Sequence, residues 1–165
     1  HLNSGNLEKI FFRFSRVFWD KDIIVYQYGN SKNRGLCTQW YNVLLPTKNK
    51  KILYTNLSGP DVKYANKSLK DLEKIGMGIL RKMFGSDIPE PVQVYSTKWS
   101  IDKYTMGGPY SHPKKNGSMD DLDIIGKKFG RIYFGGVDTS STETETVEAA
   151  ILSGFRSSNE LLNDL

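Results

Sequence analysis

Arg131 to Gly136 (Arg-Ile-Tyr-Phe-Gly-Gly) reads as a short apolar strand, Arg131–Gly135, closing on two glycines, and Thr146 to Leu162 behind it reads as a helix. Glycines at a strand end let a ligand approach the backbone. A helix start offers free N–H groups and a positive dipole end to an anion or an electron-rich ring edge. Gly135 and Gly136, with the helix start behind them, are therefore a candidate contact region. The same helix start can also satisfy itself, with Thr144 or Thr146 as cap and Glu145 and Glu148 opposing the dipole, and those carboxylates would repel a phosphate. Trp19, Trp40 and Trp99 all read first as core, although Trp99, shortly before Gly107-Gly108-Pro109-Tyr110, can instead line a pocket.

Other reactive residue types carry less. His1 is terminal and His112 precedes Pro113, so the two histidines make neither a metal site nor a triad. Cys37, between Leu36 and Thr38, reads as core; as the single cysteine it excludes an intrachain disulfide and a Cys-based zinc site. Asp120, Asp121 and Asp123 lack the rest of a calcium loop. No metal is expected.

The elements that must position these residues change character along the chain. Lys9 to Phe18 alternates Ile10, Phe12 and Phe14 against Lys9, Phe11, Arg13 and Ser15, which suits a strand covered on two sides. Further strands are predicted at Ile23 to Tyr28, Leu36 to Leu45 and Ile52 to Leu57, separated by short turns as in an antiparallel meander. Leu69, Leu72, Ile75, Ile79 and Met83 recur at helical spacing, with Asn66 or Ser68 to cap the start and Gly85 to stop the end. Gly76 and Gly78 weaken that helix by roughly 1 kcal/mol each relative to alanine, a sign of close packing. Val92 to Lys98 reads as a strand. Lys114 to Lys128 reads as a surface excursion anchored by Ile124 and Ile125. The fold class is α+β: an antiparallel or mixed sheet with packed helices, ending in a strand and helix.

The 165 residues are 38% hydrophobic and 12% aromatic, too apolar for a disordered segment. No stretch approaches the ~20 apolar residues of a membrane span, and the expected setting is intracellular. Of 23 basic and 18 acidic residues, positions 131–165 hold two and six; the first 130 residues carry the remaining 21 and 12, a net of +9. A basic body can meet acidic partners, but no Arg-rich run, zinc-finger spacing or aromatic RNA-binding signature supports direct nucleic-acid reading.

Three runs in this order, Gly5 to Asp20 (GNLEKIFFRFSRVFWD), Tyr95 to Ser111 (YSTKWSIDKYTMGGPYS) and RIYFGG with TVEAAILSGFRSSNELL, resemble FAD-dependent amine oxidases. Arg16-Val17-Phe18-Trp19-Asp20 is most similar to lysine-specific histone demethylases, with polyamine oxidases next. The resemblance runs from about Gly5 to the C-terminus. It implies a flavin cofactor, FAD, and oxidation of a carbon–nitrogen bond: hydride passes to the flavin, water hydrolyses the resulting imine, and oxygen becomes hydrogen peroxide. The amine substrate is then a methylated lysine of a histone tail, in the nucleus, or a polyamine, in the cytoplasm.

The same resemblance implies roles residue by residue. Lys9 matches the lysine that holds a water against flavin N5, a role an amine taken out of water can fill. Trp99 matches the tryptophan flanking the flavin, and Tyr110 the aromatic wall of the substrate site, which orients a cationic amine. Thr146 and Val147 match the turn whose backbone N–H meets the flavin's pyrimidine edge. Gly135-Gly136-Val137 stands where the family has Ala-Gly-Glu, so a cofactor-contacting carboxylate is replaced by Val137. Ala149 stands for a usual glycine, and Glu143 where demethylases place a tyrosine. No GxGxxG occurs in the chain. The expectation is a C-terminal fragment, inactive alone, with residues 1–128 in the substrate domain and 129–165 in the FAD-binding domain. The alternative is a non-catalytic, FAD-deficient binding module.

Overall fold

The computed structural model describes residues 2–29, 36–43, 50–105, 107, 111–113, 115–118, 120–140 and 146–165. In chain order the strands are β1 (Leu2–Ser4), β2 (Leu7–Phe14), β3 (Val25–Gln27), β4 (Gln39–Asn42), β5 (Ile52–Ser58), β6 (Pro91–Ser96) and β7 (Ser111–Pro113). The helices are α1 (Leu69–Phe84), α2 (Asp120–Gly126) and α3 (Val147–Asn163), with 3-10 turns at Gly59–Tyr64, Trp99–Ile101 and Val137–Thr139. The chain divides into two compact units, Asn6–Gly107 and the combination of His1–Gly5 with Gly108–Leu165.

The first unit is built on a five-stranded antiparallel sheet of order β3-β4-β5-β2-β6. The expected meander is present in β3, β4 and β5. β2, earliest of the five in the chain, instead lies between β5 and β6, paired antiparallel with both. Its inner face places Ile10, Phe12 and Phe14 with Trp40, Leu53 and Leu57, against Leu72, Met77 and Leu80 of α1. Phe12 meets Trp40 edge-on at 5.2 Å. The Ser68 hydroxyl caps α1 by accepting from the Asp71 amide (3.1 Å), and Gly85 ends it at φ 94. Cys37 is buried core, in a bend at φ 58 and not in a strand; burial pushes its thiol up to about 11.

In the second unit β1 pairs antiparallel with β7. The surface excursion at 114–128 contains a short helix, α2, that its sparse apolar pattern does not predict. Arg131–Gly135, expected as a strand, is irregular apart from a single bridge between Phe129 and Ile132. A strand needs a partner edge, and none runs along it among the described residues. Side-chain ties hold the segment instead. The Arg156 guanidinium donates to the carbonyls of Gly126 (2.6 Å) and Phe134 (2.9 Å) and to the Thr139 hydroxyl (3.0 Å), and Lys128 pairs with Asp164 at 2.6 Å. α3 begins where expected, with the Thr146 hydroxyl accepting from the Ala149 amide (3.0 Å).

Candidate functional site

The sheet of the first unit has an outer face opposite its core, and strand alternation puts Lys9, Phe11 and Arg13 of β2 on it. Register places Asn56 opposite Lys9 and Tyr54 opposite Phe11. Phe11 packs between Tyr54 (5.3 Å between centroids) and Tyr95 (6.2 Å), and Tyr41 stacks on Tyr54 at 4.7 Å. The Lys9 ammonium lies 5.2 Å from the Tyr54 ring centroid, and no salt bridge neutralises it among the described residues. Burial, then Tyr41, pushes the Tyr54 phenol above its ordinary range, so the ring beside Lys9 stays neutral. Asn56 Oδ1 is buried with no hydrogen-bond partner among the described residues. An amine and an unused acceptor thus share one register position on an aromatic surface.

The inner side of the same strand carries Glu8, whose carboxylate has no solvent exposure. Burial alone would raise its pKa, but hydrogen bonds from the Ser100 hydroxyl and amide, the Thr97 hydroxyl and the Trp99 amide together hold it below the usual carboxylate range. Past these residues opens a cleft of about 330 Å³ lined by Tyr95, Ser96, Thr97, Lys98, Trp99 and Asp102. The Trp99 side chain is half exposed beside it (51%). Of the three tryptophans read as core, Trp19 and Trp40 are buried and Trp99 is not.

In the second unit Gly136 adopts φ 123, a conformation that glycine alone enters freely, and nothing lies within 4 Å of where its Cβ would stand. Its N–H donates to the Ser153 hydroxyl (2.8 Å). Gly135 has ordinary space around it, so its lack of a side chain is not a packing need. Val137 opens the following 3-10 turn, half-buried. Val147, at the start of α3, is 79% exposed, whereas Ala149 is fully buried, room enough for a methyl group where the resemblance implies glycine. Tyr110 and Glu143 lie outside the described residues. No cluster of metal-ligating side chains occurs among the described residues, and none of their helices is long and apolar enough to cross a membrane.

Sequence reasoning names Lys9 and Trp99 but misses Glu8, Thr97 and Ser100, which tie them together, and Tyr54 and Asn56, which surround the lysine. Glu8 has a signal. It shares the core parity of Ile10, Phe12 and Phe14, and a carboxylate there must find donors.

A family model described as flavin containing amine oxidoreductase matches residues 1–162. Over 99% of its length the chain is 29% identical to lysine-specific histone demethylase 1 homolog 3 of Arabidopsis thaliana, of which it spans 10%. It is 30% identical, again over 99% of its length, to lysine-specific histone demethylase 1 of Caenorhabditis elegans, of which it spans 22%. Among solved structures, putrescine oxidase bound to putrescine has the same fold, with a TM-score of 0.80 at 18% identity, covering 99% of this chain and 36% of that one. Cyclohexylamine oxidase from Brevibacterium oxydans has a TM-score of 0.70 at 15% identity, with coverages of 99% and 36%. The chain therefore spans between about a tenth and a little over a third of these four proteins.

Proposed function

We propose that this chain, which belongs to the flavin containing amine oxidoreductase family, is part of an FAD-dependent amine oxidase that acts on a methylated lysine of a histone tail. The observation that carries the reading is the pairing of Lys9, an unneutralised amine on an aromatic sheet face, with a half-exposed Trp99 bound into the same hydrogen-bond network. The demethylase relatives favour the histone tail and a nuclear setting over a polyamine and the cytoplasm. On this reading residues 1–128 belong to the substrate domain and 129–165 to the FAD-binding domain.

The residues present fit a flavin. In the first unit Trp99 offers a half-exposed aromatic face, and in the second Gly136 leaves open space where a side chain would stand. The Val147 N–H stands in the first turn of α3, where helical N–H groups have no partner within the helix. When bound, FAD supplies the redox chemistry, taking a hydride from the carbon beside the amine and passing the electrons to oxygen. The chain's part is to bind, orient and move protons. The Lys9 amine holds a water, and Asn56 Oδ1 can accept a hydrogen bond from the amine or from that water. Tyr110 would form the aromatic wall for the substrate cation. Gly135 and Gly136 would let the flavin approach the backbone, Thr146 and the Val147 N–H would meet it at the helix start, and the positive end of α3 favours the negative charge of the reduced cofactor.

Purification of the full-length protein followed by anaerobic mixing with a methylated-lysine peptide, or with a polyamine, tests this. Flavin absorption that the peptide bleaches is the expected result; bleaching by the polyamine alone moves the substrate to the alternative class. A protein without flavin supports the non-catalytic reading, which Val137 favours. That residue gives a second test. If the family's carboxylate accepts hydrogen bonds from cofactor hydroxyls, valine forfeits about 0.5–1.5 kcal/mol, or roughly three- to tenfold in affinity. Val137→Glu in the full-length protein is then expected to retain more FAD through purification. No gain, with flavin absent from both forms, supports the binding module.

A further inference from the structure

Glu8 takes no part in the chemistry assigned to Lys9, yet it is the most completely engaged side chain near it. One carboxylate oxygen accepts from the Thr97 hydroxyl (2.7 Å) and the Trp99 amide (3.0 Å); the other accepts from the Ser100 amide and hydroxyl, both at 2.6 Å. The Thr97 hydroxyl in turn accepts from the Lys9 amide (2.8 Å), and the Thr97 amide donates to the Lys9 carbonyl (3.0 Å). One chain of hydrogen bonds therefore runs from the backbone of Lys9 through Thr97 and Glu8 to the first two residues of the Trp99–Ile101 turn.

Apart from Glu8, the turn is tied to a residue beyond it by the Gly107 amide, which donates to the Trp99 carbonyl (3.0 Å). None of its residues is buried, Lys98 at its start makes no side-chain cap, and its own backbone bonds are long, at 3.2 and 3.3 Å. The chemistry of the acceptor is also specific. Hydroxyl donors can reverse, but the Trp99 and Ser100 amides cannot, and they address different carboxylate oxygens. A carboxylate accepts at both oxygens, whereas a glutamine accepts at one and donates at the other position. Whichever way a glutamine is turned, one of the two amides faces an NH2 group and loses its partner.

We infer, resting on the oxidase reading above, that Glu8 is a positioning residue: its buried carboxylate fastens the Trp99–Ile101 turn to β2 and so sets Trp99 relative to Lys9, the two residues assigned to the flavin. The test uses the full-length protein with Glu8→Gln, and with Ser100→Ala as a milder variant that keeps every amide. In Glu8→Gln the Trp99 and Ser100 amides exchange with deuterium at least ~10-fold faster, while those of Ile10 and Phe12 in β2 keep their wild-type rates. The fluorescence of bound flavin, per mole of FAD, rises as the Trp99 ring loosens. Flavin reduction slows by about 10- to 100-fold, the scale of a misplacement on the order of 1 Å. Ser100→Ala shifts each quantity in the same direction by less, and it carries the test if Glu8→Gln does not fold.

Wild-type amide exchange at Trp99 and Ser100 in both variants would show that Glu8 does not hold the turn. Faster exchange with unchanged flavin fluorescence and reduction would make Glu8 structural only, and would equally overturn the inference. If the wild-type protein carries flavin that no amine reduces, the oxidase reading has failed, and exchange with flavin fluorescence then judges Glu8 by itself.

Discussion

Lys9→Ala in the full-length protein is expected to slow flavin reduction by about 100- to 10,000-fold, the range for a positioned proton-transfer group, and to leave FAD content unchanged. The lysine lies on the outer face of the sheet, so the core does not depend on it. Its ammonium contact over the Tyr54 ring, at 5.2 Å, contributes ~0.5–1 kcal/mol at a site of this exposure. Folding therefore survives the substitution, and a loss of rate cannot be traced to a loss of protein. A residue that acts through a water, and does not anchor the cofactor, lowers the rate constant at saturating amine while cofactor occupancy holds. Lys9→Met keeps most of the apolar stem and removes only the amine, so it should reproduce the loss. Anaerobic stopped-flow spectroscopy reads both variants. An unaltered reduction rate would make Lys9 an ordinary strand lysine.

Much of the fold is legible because it is written locally. α1 shows five apolar residues at helical spacing between a serine cap and a stop glycine, and its observed limits, Leu69–Phe84, fall within one residue of those read from the pattern. β2 is legible as a strand, but not as one covered on two sides: the face of Ile10, Phe12 and Phe14 is buried, whereas that of Lys9, Phe11 and Arg13 is only half-buried to exposed. What is not legible depends on partners distant in sequence. Arg131–Gly135 has the composition of a strand but no neighbouring edge among the described residues, and three bonds from the Arg156 guanidinium hold the surrounding segment. α2 shows only Ile124 and Ile125 as apolar anchors. It is started by local polar bonds, with the Asp120 amide donating to the Ser118 hydroxyl and the Ser118 amide to the Asp121 carboxylate. At the candidate site, resemblance to a motif singles out Lys9 and Trp99. Tyr54, Asn56 and Thr97 join the lysine through sheet register and a bond spanning 88 residues, which no local pattern reveals.

The two glycines of α1 show how far local reasoning reaches, and they give the second large effect. Both cost helix propensity, and both read as signs of close packing, but only one of them is. A Cβ at Gly76 would come closer to Phe12 Cζ than unbonded carbons can approach, and 3.0 Å from Cε1 and Cε2; at Gly78 it would meet nothing within 4 Å. Phe12 cannot step aside, since it is fully buried and packs edge-on against an equally buried Trp40. Gly76→Ala is therefore expected to destabilise the protein, because overpacking of about 1–3 kcal/mol exceeds the ~1 kcal/mol gained in helix propensity. Gly78→Ala keeps the propensity gain alone and should stabilise by ~0.5–1 kcal/mol. The opposite signs, two residues apart in one helix, separate packing from propensity. A double-mutant cycle identifies the contact: Phe12→Leu alone leaves a gap and costs stability, but combined with Gly76→Ala the smaller side chain relieves the clash. The two changes should then couple favourably by about 0.5–3 kcal/mol in urea unfolding. Strict additivity, or equal effects of alanine at positions 76 and 78, would mean that Phe12 does not press on α1 at Gly76.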